Sequence, residues 1–105
     1  MNEAIKEQWI QTLRSGKYEQ GRGQLRSGND KFCNLGVLCD LVDPDGWGWH
    51  ESLFSYINRA KSTALLGETL MNEVGLSQQE CDHISAMNDN GTSFLETADY
   101  IEANL

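Results

Sequence analysis

The run Phe32-Cys33-Asn34-Leu35-Gly36-Val37-Leu38-Cys39-Asp40-Leu41-Val42 is the densest apolar segment of the 105-residue chain and carries two of its three cysteines. Leu35, Leu38, Cys39 and Val42 stand at i, i+3, i+4 and i+7, the spacing of one helical face turned toward a core. Asn34 in front of them is a good N-cap. Asp43-Pro44-Asp45-Gly46 behind them ends the helix, because the residue before a proline avoids helical angles and Asp and Gly suit a turn. Gly36 inside the run costs about 1 kcal/mol relative to alanine, and a close approach by another backbone would explain its presence. A core helix of this kind needs cover from elements elsewhere in the chain.

Residues 3 to 15 supply the first such element. Ile5, Trp9 and Leu13 recur every four residues among polar neighbours, predicting an amphipathic helix with Asn2 as N-cap and Gly16 as the left-handed stop. From Lys17 to Asn29 the glycines Gly21, Gly23 and Gly28 argue against a helix. Ser27-Gly28-Asn29-Asp30 has turn chemistry, so Gln24-Leu25-Arg26 and Lys31-Phe32-Cys33 are expected to pair as a short hairpin. Trp47-Gly48-Trp49-His50 brings two tryptophans within three residues, suited either to a lid over the core or to a contact surface. Leu53, Phe54, Tyr56 and Ile57 predict a helix over 51–60. Leu65, Leu66, Leu70, Met71 and Val74 predict another over 62–75, stopped by Gly75. Ser77-Gln78-Gln79-Glu80 and Ser93-Phe94-Leu95-Glu96 are capping boxes that open two further helices, with Asn88-Asp89-Asn90-Gly91 as the turn between them. The expected architecture is α+β: a single compact domain over residues 1–105, with about five or six short helices and one small β-hairpin.

Charge is distributed unevenly. Residues 1–31 hold six of the eight basic residues against four acids, whereas residues 62–105 hold eight acids and no lysine or arginine; the whole chain carries −8. An acidic C-terminal half repels nucleic acid and attracts basic protein surfaces. No apolar stretch approaches the ~20 residues of a membrane helix, and the start does not resemble a signal peptide, so a cytoplasmic protein without membrane contact is expected. Three cysteines cannot all pair within one chain, which favours reduced thiols.

Several residue sets invite chemical readings. Cys33, Cys39, Cys81, His50 and His83 contain enough thiolate and imidazole ligands for tetrahedral zinc, although Cys33 and Cys39 are six residues apart and a helix would turn them to different faces. Cysteines also behave as small buried hydrophobes, and Cys39 on the apolar stripe fits that role. Cys33 with His50 and Asp43 or Asp45 could form an acyl-transfer triad, but nothing around Cys33 resembles a nucleophile elbow. Asp43 and Asp45 by Gly46, and Asp89 by Gly91, hint at calcium loops. Counting back from either glycine places Leu41 or Ala86 where a ligating Asp must stand. Gly21-Arg22-Gly23 lacks the Gly-Lys-Ser/Thr ending of a phosphate loop. The basic set Arg14, Lys17, Arg22, Arg26 and Lys31, with Tyr18 among it, can touch phosphates and stack a base, or pair internally with the acidic helices. No cofactor is implied.

At Trp9 to Leu41 the order Trp-Ile-x-x-Leu-Arg-Ser-Gly-x-Tyr-x-Gln-Gly-x-Gly-x-Leu-Arg, followed by Phe-Cys-x-Leu-Gly-Val-Leu-Cys-Asp-Leu, resembles a family of small uncharacterised proteins of tailed phages and prophages. Met87 to Glu102, Met-Asn-Asp-x-Gly-x-Ser-Phe-x-Glu-x-Ala-Asp-Tyr-Ile-Glu, is similar to that group's closing motif. Asp43 to Gln79 matches nothing in it, and members often carry two adjacent cysteines where this chain has Phe32-Cys33. The resemblance brings no catalytic residue set. It implies a phage setting, in which small acidic proteins act by binding a host protein. The expected function is a non-enzymatic accessory protein that inhibits or modulates a host process or defence. The candidate surface combines Trp47 and Trp49 with the basic residues Arg14, Lys17, Arg22 and Arg26 or with the acidic C-terminal helices; nucleic acid is not the expected partner. The alternatives are a Cys/His metal or thiol site and a nucleic-acid contact through the basic segment.

Overall fold

In the computed structural model, which describes residues 1–105, the Leu35 to Val42 stripe forms the central helix. The helices are α1 (Glu3–Arg14), α2 (Asn34–Val42), α3 (Glu68–Val74), α4 (Gln78–Asp89) and α5 (Phe94–Asn104). Four short strands accompany them: β1 (Glu19–Gln20), β2 (Lys31–Phe32), β3 (Gly48–His50) and β4 (Ser55–Ile57). These make two separate two-stranded sheets, β1 parallel to β2 and β3 antiparallel to β4, so the fold is α+β.

Local chemistry sets the helix ends. Asn2 Oδ1 accepts from the Ile5 amide at 3.0 Å, and Gly16 takes φ +74° beyond the end of α1. Both capping boxes form reciprocally, Ser77 with Glu80 and Ser93 with Glu96. The α1 face made of Trp9, Ile10 and Leu13 packs most extensively on α5, while α2 lies between α1 and α4. Trp9, Val37, Leu38, Ile84, Ala98 and Ile101 are fully buried at this junction. Removing each large side chain among them from water is worth about 1.5–3 kcal/mol.

Gly36 explains how a loop reaches α2. A Cβ added there would lie 1.7 Å from the Leu25 carbonyl oxygen, so only glycine lets the 24–26 segment cross the helix at this distance. The close approach expected at Gly36 is present, and its partner is the basic loop.

Four local expectations are corrected. First, Cys33 is the N-cap of α2, its Sγ accepting from the Gly36 amide at 3.3 Å; Asn34 lies inside the helix. Its Nδ2 donates instead to the Ile84 carbonyl at 2.8 Å, tying α2 to α4. Second, the expected pairing of 24–26 with 31–33 is reduced to one antiparallel bridge, Arg26 to Phe32, because Lys31 and Phe32 pair in parallel with Glu19 and Gln20. Third, the helix expected over 51–60 is the β3–β4 hairpin. Trp49 and Tyr56 face each other across it with ring centroids 5.3 Å apart, and aromatic cross-strand pairs of this kind favour sheet over helix. Fourth, the helix expected over 62–75 is confined to α3, because Gly67 at φ +91° breaks it on the N-terminal side. The loop before Gly67 is wound around Asn58, whose amide donates to the carbonyls of Leu65 and Leu66 and whose Oδ1 accepts from the Ser62 amide.

A buried amide pair joins the halves of the chain. Asn88 Oδ1 accepts from the Asn34 amide at 3.2 Å and from Gln20 Nε2 at 2.8 Å, while its Nδ2 donates to the Gly21 carbonyl at 2.7 Å. Trp9 Nε1 donates to the Asn34 carbonyl at 3.0 Å. Asn88, expected in a turn, is therefore a fully buried residue of α4 that anchors the glycine-rich loop.

Candidate binding surface

Six aromatic side chains form one continuous row. Tyr18 meets Phe32 edge-on at 4.8 Å between centroids, Phe32 meets Trp47 at 6.2 Å, and Trp47 meets Tyr56 at 6.4 Å. Tyr56 then meets Trp49 at 5.3 Å, and Trp49 meets Phe54 at 6.1 Å with the rings perpendicular. The row begins at buried Phe32 and half-buried Tyr18 and ends in solvent. Trp49 is 46% exposed and Phe54 72%, and Leu53 beside them is 52% exposed.

Polar contacts hold the inner part of the row. Tyr18 Oη donates to Asp40 Oδ2, and Trp47 Nε1 donates to Asp40 Oδ1 at 2.9 Å. Burial, followed by the hydrogen bond to Asp40 and that carboxylate's charge, raises the Tyr18 phenol well above its ordinary value. The Arg26 guanidinium lies 3.9 Å from the Tyr56 ring centroid, 5.4 Å from Phe32 and 5.6 Å from Trp47, with Asp30 at 2.8 Å. Partly desolvated cation–aromatic contacts are worth about 0.5–2 kcal/mol each, so Arg26 clamps the row from one side.

The outer part is braced by the loop. Ser55 Oγ and the Tyr56 amide both donate to the Arg26 carbonyl, at 3.0 and 3.2 Å, and Ser27 bridges Ser55. Gly28 lies directly beneath the tip, where an added Cβ would come within 2.5 Å of the Phe54 carbonyl oxygen and 3.1 Å of the Trp49 ring. Phe54 itself adopts φ +47°, ψ +45°, a conformation a bulky L-residue takes at a cost of about 1–2 kcal/mol. From this turn the Phe54 ring stands in solvent beside Trp49.

The two tryptophans singled out from the sequence thus divide: Trp47 is half-buried and bonded inward, and Trp49 is exposed. Leu53 and Phe54 were expected in a helix over 51–60 and not at a surface, because a short mixed apolar run does not separate helix from strand by periodicity alone. The basic residues do not meet at the hairpin as a group. Arg14 bonds Asp99 at 2.8 Å and Glu102 at 3.3 Å on α5, and hydrogen bonding to Glu102 and then Asp99 raises its pKa further. Lys17 Nζ lies 5.8 Å over Tyr18, Lys31 pairs with Glu19 at 3.7 Å, and Arg22 is exposed beside Gly91. Of these, Arg26 contacts three rings in the middle of the aromatic row, and Lys17 reaches only Tyr18 at its inner end.

The sulfur and imidazole groups are likewise scattered. All three thiols are free and buried, and no three His, Cys, Asp or Glu side chains gather as a metal site. Burial pushes Cys33 and Cys81 up to about 11 and Cys39 up to about 12. His50 is exposed at the end of β3, and His83 is exposed on α4 with its ring 5.0 Å from Tyr100.

Among known proteins, the family described as a domain of unknown function, DUF8296, matches residues 1–63. That span takes in the aromatic row, Arg26 and the whole hairpin, and stops before α3. No curated protein and no solved structure matches the chain.

Proposed function

The chain belongs to the DUF8296 family, whose description assigns no function, and we propose that it is a non-enzymatic accessory protein of phage type that binds a host protein through the tip of the β3–β4 hairpin. The observation that carries this reading is the clustering of exposed Trp49, Leu53 and Phe54 on a tip rooted in the core by a row of aromatic rings. Aromatic anchors held in place before binding lose little freedom on association, which is what makes them binding hot spots. The net charge of −8 favours a partner whose apolar pocket is rimmed by basic residues. Thiols held protonated at neutral pH by burial supply no nucleophile, so the reading assigns them to packing.

Affinity capture from host lysate with identification by mass spectrometry gives the partner, and calorimetry then compares the chain with its Trp49→Ala/Phe54→Ala variant. A hot-spot loss of 2 kcal/mol or more corresponds to at least about 30-fold weaker binding. A small drop in melting temperature accompanies it, since Trp49 also pairs with Tyr56 across the hairpin at about 0.2–1 kcal/mol, so binding is compared where the variant is fully folded. Equal binding by the variant, or a loss that follows unfolding, would overturn the assignment.

A further inference from the structure

A cavity of about 350 Å3 opens between the C-terminal end of α2, the loop before Gly67 and α3. Its volume is at the small end of the range of ligand sites, and its walls have two distinct chemistries. Cys39, Trp47 and Leu66 form an apolar floor, while the rim carries Asp43, Glu68 and Glu73 against one cation, Arg59. Arg59 Nε already donates to Asp43 Oδ2 at 2.7 Å, whereas Glu68 and Glu73 take part in no ion pair of the fold.

Two glycines let the segments that form the walls pack closely. A Cβ at Gly46 would come within 2.1 Å of the Asp43 carboxylate, and one at Gly67 within 2.5 Å of Ala60 Cβ. Gly46 therefore lets the Asp43 carboxylate fold over its own turn to meet Arg59, and Gly67 lets the 58–60 loop close against the start of α3. Trp47 is fixed in orientation by its bond to Asp40, so an aromatic ring stands in the wall. An indole side chain and two carboxylates without ion-pair partners beside an apolar floor are complementary to a cation carried on an apolar body.

We propose that this cavity binds a small organic cation of the arylalkylammonium class, with the ring on the Cys39–Trp47–Leu66 floor and the ammonium toward Glu68 and Glu73. The site is separate from the hairpin tip and does not depend on what the tip binds.

The probe is 2-phenylethylammonium, titrated into the labelled full chain and followed by two-dimensional NMR, with neutral 2-phenylethanol and a short lysine-containing peptide as comparisons. Saturable shifts of the Trp47 indole N–H and the Ala60 amide are expected, with the alcohol at least about tenfold weaker, the equivalent of one charged contact. Glu68→Gln/Glu73→Gln should weaken the amine by a similar factor and leave the melting temperature unchanged, since both residues are exposed. Equal binding of amine and alcohol, or no saturable shift at millimolar amine, overturns the proposal. Tighter binding of the peptide than of the amine overturns it too, because the cavity would then read a protein side chain.

Discussion

Replacing Gly36 with alanine sets two opposed effects against each other. In the interior of α2, alanine is intrinsically better than glycine by about 1 kcal/mol, so helix propensity alone predicts a more stable protein. The new methyl would lie 1.7 Å from the Leu25 carbonyl oxygen and 2.6 Å from its carbon. Carbon–oxygen contacts settle at roughly 3.3–3.6 Å, so the 24–26 segment must retreat by about 1.6 Å. Overpacking costs about 1–3 kcal/mol. The retreat also pulls on two backbone bonds of Leu25, its amide to the Thr63 carbonyl at 2.6 Å and its carbonyl from the Cys33 amide at 3.3 Å. Each is worth about 1 kcal/mol. The balance is a loss of about 2–4 kcal/mol, or roughly 10–20 °C in melting temperature for a domain of this size. Calorimetry or thermal circular dichroism measures it. Gly23→Ala is the contrast: at φ +79° with open space around it, it should lose only the roughly 1–2 kcal/mol of left-handed strain. An unchanged or raised melting temperature for Gly36→Ala would refute the close-approach argument.

Two further outcomes follow from buried polar groups. Thr97 is fully buried on α5 and its Oγ1 has no hydrogen-bond partner, so Thr97→Val should raise stability by about 1 kcal/mol; a loss in chemical denaturation would show that the hydroxyl is satisfied after all. The raised thiol pKa values predict alkaline lability. Unfolded cysteines ionise near 8.5, whereas the folded thiols hold their protons to about 11 for Cys33 and Cys81 and about 12 for Cys39. Their contribution is therefore complete below about pH 8.5 and lost as pH rises toward the folded values. The slope reaches as much as about 4 kcal/mol per pH unit when all three titrate only in the unfolded chain. Denaturant melts from pH 8 to 10.5 measure the slope, Cys39→Ala should flatten it, and a pH-independent midpoint would refute it.

What the sequence made legible follows from the range of the forces involved. The α1 cap at Asn2 and the two capping boxes are contacts over three residues, and they form as read. The core stripe of α2 and the close approach at Gly36 were also readable, because helical spacing and an ill-placed glycine are local signals. The β3–β4 hairpin was not. Its strands are three residues each and are braced by Arg26, Ser27 and Gly28, which lie twenty or more residues earlier in the chain. The same holds for Asn34 and Asn88, each of which reads locally as a cap or turn residue and is recruited into the interior by a partner 54 positions away. Of the candidate surface, Trp49 was visible as an unusual tryptophan, but Phe54 acquires its exposure from a left-handed turn that no neighbouring residue announces. The basic cluster was visible as composition, yet its members are drawn apart toward α5, β1 and the aromatic row.

The pairing of α1 with α5 bears on how the chain is made. Arg14 finds Asp99 and Glu102 at sequence separations of 85 and 88 residues, and the Trp9–Leu13 face rests on the same helix. A ribosome adding about 5–20 residues per second needs roughly 4–17 seconds to synthesise that interval. Throughout it the 12-residue α1 segment lacks the main cover for its apolar face, and a helix of that length is marginal in water on its own. The α1 face is therefore completed only when α5 has been made, so α1 is stabilised late by a partner distant in sequence.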